Sequence, residues 1–222
     1  PQYQYLDQNK EAEERIYEGE TPGVSYGDIA ERYYTVGQYM KEVKDVSKAM
    51  AAAGDSYICD EYLNAMGSPE AESVYVLRDL NNDGIEEFFI GLKFNYDIPY
   101  YVIYDVYTWK DGRAYQLMRG IGYRNGSCKI CENGVIEDNY SGSAWDGQTL
   151  YHILPEGGIE LETIDSVSSR RDGTVQSYYH WNELIDENSL QTILEQYQPE
   201  SVTYVDCNRE TIEQLRLSGI RK

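Results

Sequence analysis

Histidine is scarce in this chain: two in 222 residues, His152 and His180, neither in a recognised motif. Nucleophilic catalysis needs a serine or cysteine with a histidine base and an orienting acid, so that class has little to draw on. A glycine-rich phosphate loop, a dinucleotide fingerprint and a zinc-hydrolase helix are missing as well. Basic residues are outnumbered, with 19 Lys plus Arg against 39 Asp plus Glu and a net charge of −20. Such a surface repels nucleic acid and anionic membranes and suits divalent cations or basic partners. No apolar run approaches the length needed to span a bilayer, so a soluble domain is expected. The chain opens at Pro1 with no Met and no signal-peptide pattern, and the expectation is that an export segment has been removed.

Phenylalanine and tryptophan number three each, whereas tyrosine numbers 23. A ring with a polar tip suits half-wet sheet faces and binding surfaces alike. The candidate ligand surface is Tyr101, Tyr107, Trp109, Tyr179 and Trp181. The four cysteines, Cys59, Cys128, Cys131 and Cys207, permit three full pairings. Cys128 and Cys131 have the spacing of a redox or zinc half-site, but they precede an Asn133-Gly134 turn instead of opening a helix. With the other cysteines and both histidines scattered singly, buried thiols or an ordinary disulfide are expected.

The densest signal is Asp79 to Glu87. Asp79, Asn81 and Asp83 stand at loop positions one, three and five, Gly84 at six and Glu87 at nine. That spacing lets one tight loop wrap a hard cation, with the Ile85 carbonyl as a further ligand, and calcium is the expected ion. Position twelve is Ile90 instead of Glu, and the flanks Val74–Leu77 and Phe88–Leu92 read as strands. This is therefore a β-hairpin loop and not a helix-loop-helix hand. An Asn-Asp-Gly turn with solvated acids is the plain alternative.

Around this loop the periodicity changes twice. From Tyr26 to Ala53, Ile29, Tyr33, Val36, Met40, Val43, Val46 and Met50 recur at three- and four-residue steps, predicting one long amphipathic helix closed by Gly54. Asn9–Tyr17 reads as a short helix or tail, and Asp60–Met66 as a further turn before Gly67-Ser68-Pro69. From Ser73 the period becomes two. Asp83-Gly84, Asp111-Gly112, Asn133-Gly134, Asp146-Gly147, Gly157-Gly158 and Asp172-Gly173 then mark turns between about nine antiparallel strands. In Pro99–Trp109 both alternating sets are apolar except Asp105, which makes that strand central, with the long helix covering one face. Asp186 and Asn208 cap two closing helices. The fold class is α+β, an antiparallel meander bracketed by helices. One domain over 1–222 is expected: a loosely attached segment 1–25, helices in 26–69, the meander in 73–182 and C-terminal helices in 186–222.

Tyr75–Gly91 (YVLRDLNNDGIEEFFIG), Val102–Trp109 (VIYDVYTW) and Cys131–Gly134 (CENG) carry a resemblance. Together they resemble exported lipoprotein domains of Gram-positive anaerobes, including gut clostridia, over roughly residues 70–200. The loop is also similar to those of FG-GAP and integrin-type repeats, in a single copy. The resemblance implies a secreted or surface-anchored protein, held by lipid at a removed N-terminus, and transfers no chemistry. The functional expectation is a non-enzymatic module that binds an extracellular glycan, peptide or protein through a Tyr-rich sheet, its first hairpin stiffened by calcium. The alternative is a hydrolase acting on glycan or cell-wall polymer through an acidic pair.

Overall fold

The computed structural model describes residues 16–20, 25–53, 58–122, 128–141, 145–155, 158–168, 175–181 and 183–219. The fold is α+β with antiparallel sheets. Its five described helices are α1 (Tyr26–Val43), α2 (Val46–Ala53), α3 (Asp60–Met66), α4 (Glu187–Leu194) and α5 (Arg209–Gly219). The predicted meander is divided between two six-stranded sheets. Where the sequence reading expects one body, the chain groups into two compact units, each built on one of these sheets.

The first unit holds α1, α2, α3, α5 and a sheet in the order β1-β5-β4-β3-β2-β12. Its strands are β1 (Ile16–Glu20), β2 (Ala71–Arg78), β3 (Glu87–Phe94), β4 (Tyr100–Lys110), β5 (Arg113–Met118) and β12 (Val205–Asp206). Residues 16–17, read as part of a helix or tail, belong instead to β1; residues 9–15 lie outside the described residues. Strand β4 is interior to the sheet as predicted and is buried from Val102 through Thr108. Asp111 and Gly112 both take positive φ, 52° and 78°, which is what a two-residue turn between right-twisted strands demands.

Helix α1 covers one sheet face. Ile29, Tyr33, Val36 and Met40 share a core with Tyr62, Leu63, Tyr75, Phe88, Ile90, Leu92 and Tyr107. Ser25 and Asp28 form a reciprocal capping box at its start. The single long helix of the sequence reading is broken: Lys44 adopts φ 52° and its N–H closes on the Met40 carbonyl. Asp45 then accepts the Lys48 N–H and starts α2. A left-handed residue followed by a capping aspartate stops one helix and opens another, although the apolar period runs through both. Gly54, expected to end the helix, lies outside the described residues. Helix α5, capped by Asn208 Oδ1, packs along α1, and Arg216 joins them through Asp28 and Glu31. A methyl at Gly27 would stand 2.3 Å from Arg216 Cγ, so only glycine fits that crossing.

The second unit is a strict meander, β11-β10-β9-β8-β7-β6. Its strands are β6 (Cys128–Ile130), β7 (Val135–Ser141), β8 (Trp145–Ile153), β9 (Ile159–Ser168), β10 (Val175–His180) and β11 (Glu183–Ile185). The Asp146-Gly147 turn expected from sequence is an error: Gly147 lies within β8, paired to Tyr140 and Asp165. Its backbone is paired on both sides, so the glycine continues the ladder instead of reversing the chain. Asp172-Gly173 lies outside the described residues. Helix α4, capped by Asp186, sets Leu190, Ile193 and Leu194 against Cys131, Val135, Leu150 and Ile164. The chain beyond it is strapped to the sheet edge, with Glu132 N–H donating to the Gln198 carbonyl and Glu200 N–H to that of Ile130.

All four cysteines are free and buried. Burial pushes the Cys59 thiol well up and those of Cys131 and Cys207 to about 12, so thiolate is scarce in the folded state. We expect a chromogenic disulfide reagent at pH 8 to find almost no fast-reacting thiol in the native protein and four after denaturation. Rapid native labelling of two or more would contradict this burial.

Candidate functional site

The β2–β3 connection has the predicted loop geometry in part. Asp79 Oδ2 accepts the Gly84 N–H at 3.0 Å, and Asn81 Oδ1 accepts the Asp83 N–H at 3.1 Å. Asn82 and Gly84 both take positive φ, 58° and 86°, which produces the sharp reversal. Asn81 Nδ2 donates to Asp83 Oδ2 and to the Leu154 carbonyl. The other carboxylate oxygen of Asp79, Oδ1, is buried and receives no hydrogen bond. Such an atom wants a cation or water beside it. Ile85 is half-buried in this connection. Glu87 is placed differently from the reading: it is wholly buried at the start of β3, opposite Arg78, and its carboxylate accepts the Thr108 hydroxyl at 3.2 Å. Among the described residues no three His, Cys, Asp or Glu side chains form a metal-binding group.

The predicted aromatic surface sorts into core and exterior. Tyr107 is a correction, since it is fully buried and its hydroxyl meets that of Tyr33 at 2.7 Å. The strand that carries it is covered by α1, and a central strand has no free face there. Trp109 is half-buried, edge-on to Tyr26. Tyr101 is half-buried and stacks on Tyr204 at 4.1 Å. Tyr179 is half-buried, whereas Trp181, at a φ of 53° in the β10–β11 turn, is 49% exposed. A contiguous exposed apolar group among the described residues lies just before Tyr101, at the β3–β4 tip. There Tyr96, Ile98 and Tyr100 are 50%, 82% and 47% exposed. Phe94, Tyr96 and Tyr100 hold their rings nearly parallel, Phe94 and Tyr100 at 4.8 Å and Tyr96 and Tyr100 at 5.8 Å.

Two polar clusters escaped the sequence reading. In the second unit both histidines converge on one carboxylate. His152 Nε2 lies 3.0 Å from Glu162 Oε2, His180 Nε2 2.6 Å from Oε1, and the Tyr197 hydroxyl donates to Oε2 at 2.6 Å. Burial alone would raise Glu162, but bonds from His152, Tyr197 and His180 outweigh it and hold the acid at about 2. An ionised carboxylate only accepts, so both imidazoles present Nε2–H to it. In the first unit Asp105 is completely buried. Its Oδ2 accepts the Tyr33 hydroxyl at 2.6 Å and its Oδ1 the Gly120 N–H at 2.9 Å. A β-bulge between Ile90 and Gly91 turns Tyr104 and Asp105 to the helix-covered side together. Because Tyr33 spends its proton on Asp105, Tyr107 must donate to the Tyr33 oxygen. The only signal in sequence was Asp105 itself, an acid inside an apolar strand.

Both clusters have their carboxylate oxygens committed to protein donors, an arrangement that orders side chains. It differs from two convergent free carboxylates, which acid–base hydrolysis would require. No helix among the described residues is long and apolar enough to cross a membrane. Neither a protein-family model, nor a curated protein, nor a solved structure matches this chain.

Proposed function

We propose that the chain is a non-enzymatic binding module of an exported or cell-surface protein, engaging its ligand through exposed aromatic hairpin tips. The observation that carries this reading is the β3–β4 tip, where Tyr96, Ile98 and Tyr100 stand in solvent at about half exposure or more. Isolated exposed side chains are ordinary, but a contiguous set of near-parallel rings on one turn is costly to leave in water and supplies contact area at little entropic cost. The β10–β11 tip adds Trp181 and Leu184, the latter 69% exposed, as a second such surface. A screen on glycan and peptide arrays tests the reading. Retained ligands should lose binding when Tyr96 and Tyr100, or Trp181, are changed to Ala, whereas Trp109→Ala should mainly affect stability because that ring packs on Tyr26. Hits that are indifferent to all the tip substitutions would end the proposal.

Calcium at the β2–β3 loop belongs to the same reading. Its support is the buried, unpartnered Asp79 Oδ1 in a loop already folded back by Gly84. Asp79, Asn81 and Asp83 would hold the ion, with the Ile85 carbonyl beside them, while Glu87 stays with Thr108 at the start of β3. At a hundredfold excess over its dissociation constant, calcium should raise stability by about 2.7 kcal/mol and the melting midpoint with it. Superimposable melting curves in chelator and in millimolar calcium, with no heat in a titration, would remove the ion from the account.

A further inference from the structure

We propose that Asp105 and the tyrosines beside it form a proton switch in the first unit. When the carboxyl takes up a proton, the hydroxyl chain Tyr107–Tyr33–Asp105 reverses and the hold on the Gly120 turn slackens. The parts are three buried groups in a row. Tyr33 of α1 stands between Asp105 Oδ2, at 2.6 Å, and the Tyr107 hydroxyl, at 2.7 Å, and all three residues are 0% exposed. With its other oxygen the acid accepts the Gly120 N–H at 2.9 Å. Gly120 takes φ 68° just beyond β5, and the Ile121 N–H donates to the Tyr104 carbonyl at 2.9 Å. The turn therefore hangs on two adjacent residues of β4.

Donor and acceptor rules dictate where the proton goes. An ionised carboxylate only accepts, whereas a neutral acid must donate from one oxygen. On Oδ1 the new proton would face the Gly120 N–H, a donor that cannot turn round. On Oδ2 it faces a hydroxyl, which can. The proton therefore sits on Oδ2 and is donated to the Tyr33 oxygen, and Tyr33 donates its own to Tyr107, a pair whose spacing serves either direction. Gly120 keeps its acceptor, but a neutral oxygen binds an N–H about half as strongly as a carboxylate does. Other titratable or charged groups around the acid are Cys59, Glu61 and Tyr62 from α3 and its cap, Tyr104 on β4 and Arg119 beyond β5. The Cys59 sulfur, which already accepts the Tyr62 N–H, is too weak an acceptor to compete with Tyr33. Burial pushes the Tyr33 and Tyr62 hydroxyls and the Cys59 thiol well up, so they keep their protons. Asp105, raised by burial to about 6, is the member of the chain that changes charge in mild acid.

The test is infrared difference spectroscopy of the whole chain from about pH 4 to 8, reading the protonated-carboxyl band that Asp105→Asn removes. The band should appear on acidification while circular dichroism stays native. The Gly120 amide, followed by NMR, should titrate with the same midpoint. Tyr33→Phe takes a donor from the ion, so the proton affinity of Asp105 should rise about tenfold. Tyr107→Phe should act in the opposite sense. It leaves the reversed Tyr33 hydroxyl without an acceptor in the core, which disfavours the protonated state and lowers the affinity about tenfold. Any other pair of directions, including an unmoved midpoint in either variant, would overturn the proposal. So would the lack of a band that depends on Asp105, or a Gly120 amide that does not follow the carboxyl. Should Tyr33→Phe fail to fold, the sign of the Tyr107→Phe shift and the Gly120 amide decide the matter.

Discussion

Glu162→Ala should destabilise the second unit by about 3 kcal/mol and loosen the segment that follows α4. Removing the carboxylate strips His152, His180 and Tyr197 of their common acceptor. Hydrogen bonds to charged groups contribute about 1.5–3 kcal/mol each, and half-buried donors left without partners add to the loss. The histidine side chains are 25–29% exposed and recover some hydration, which holds the total near 3 and below the sum. Glu162→Gln keeps the shape but offers one accepting oxygen and an NH2 that opposes an imidazole N–H, so it should fall between. The pH dependence carries the same signature. The folded acid sits at about 2, below its ordinary 4.5, so its contribution is complete above 4.5 and fades as pH falls towards 2. Urea denaturation followed near Trp181 at pH 7 and pH 3 measures both. A loss below 1 kcal/mol in Glu162→Ala, or an unchanged acid limb, would show that the cluster carries no stability.

Asp105→Asn should change the first unit in the opposite sense. Burial raises Asp105 to about 6, against the lowering effects of the Tyr33 and Gly120 hydrogen bonds and the Arg119 charge. Its ordinary value is 3.8. Between those two values the folded unit keeps a proton that the unfolded chain has released, so stability declines as pH rises through the interval. The span is about two units, equivalent to roughly 3 kcal/mol, after which the curve is level. Asparagine has no proton to lose and can still accept from Tyr33 or Gly120. We therefore expect a flat profile from pH 4 to 6 and a gain of about 1–2 kcal/mol at pH 7. Denaturant midpoints at half-unit steps of pH decide the matter, and parallel curves for the two proteins would exclude Asp105 as the titrating group.

Local chemistry made much of this fold legible. The stripe through Ile29, Tyr33, Val36 and Met40 gave α1 and its buried face, the two-sided apolar run gave β4, and Asp111-Gly112 gave a tight turn. What period alone could not reveal was where continuity fails. The stripe passes unbroken across Lys44, because a left-handed residue and a new cap alter the backbone without altering hydropathy. It also could not show that strands of one uniform pattern separate into two sheets. The histidines show the limit most clearly. His152 and His180 are distant in sequence, and each looks solitary until the β8–β9–β10 registers bring both to Glu162. Tyr107 failed as a surface residue for a related reason: alternation assigns faces, but only the helix packed above decides which face is wet.

The nesting of the two sheets along the chain sets an order for assembly during synthesis. Every described strand of the second sheet has been made once Ile185 has been added, and each pairs with its immediate neighbour in sequence. The first sheet begins earlier but ends later, because β12 arrives only with Val205–Asp206 and α5 after it. At about 5–20 residues per second, the 34 residues from Asp186 to Gly219 take roughly 2–7 s. For that interval a growing chain carries a finished meander and a sheet still missing its final edge and the helix that closes over α1.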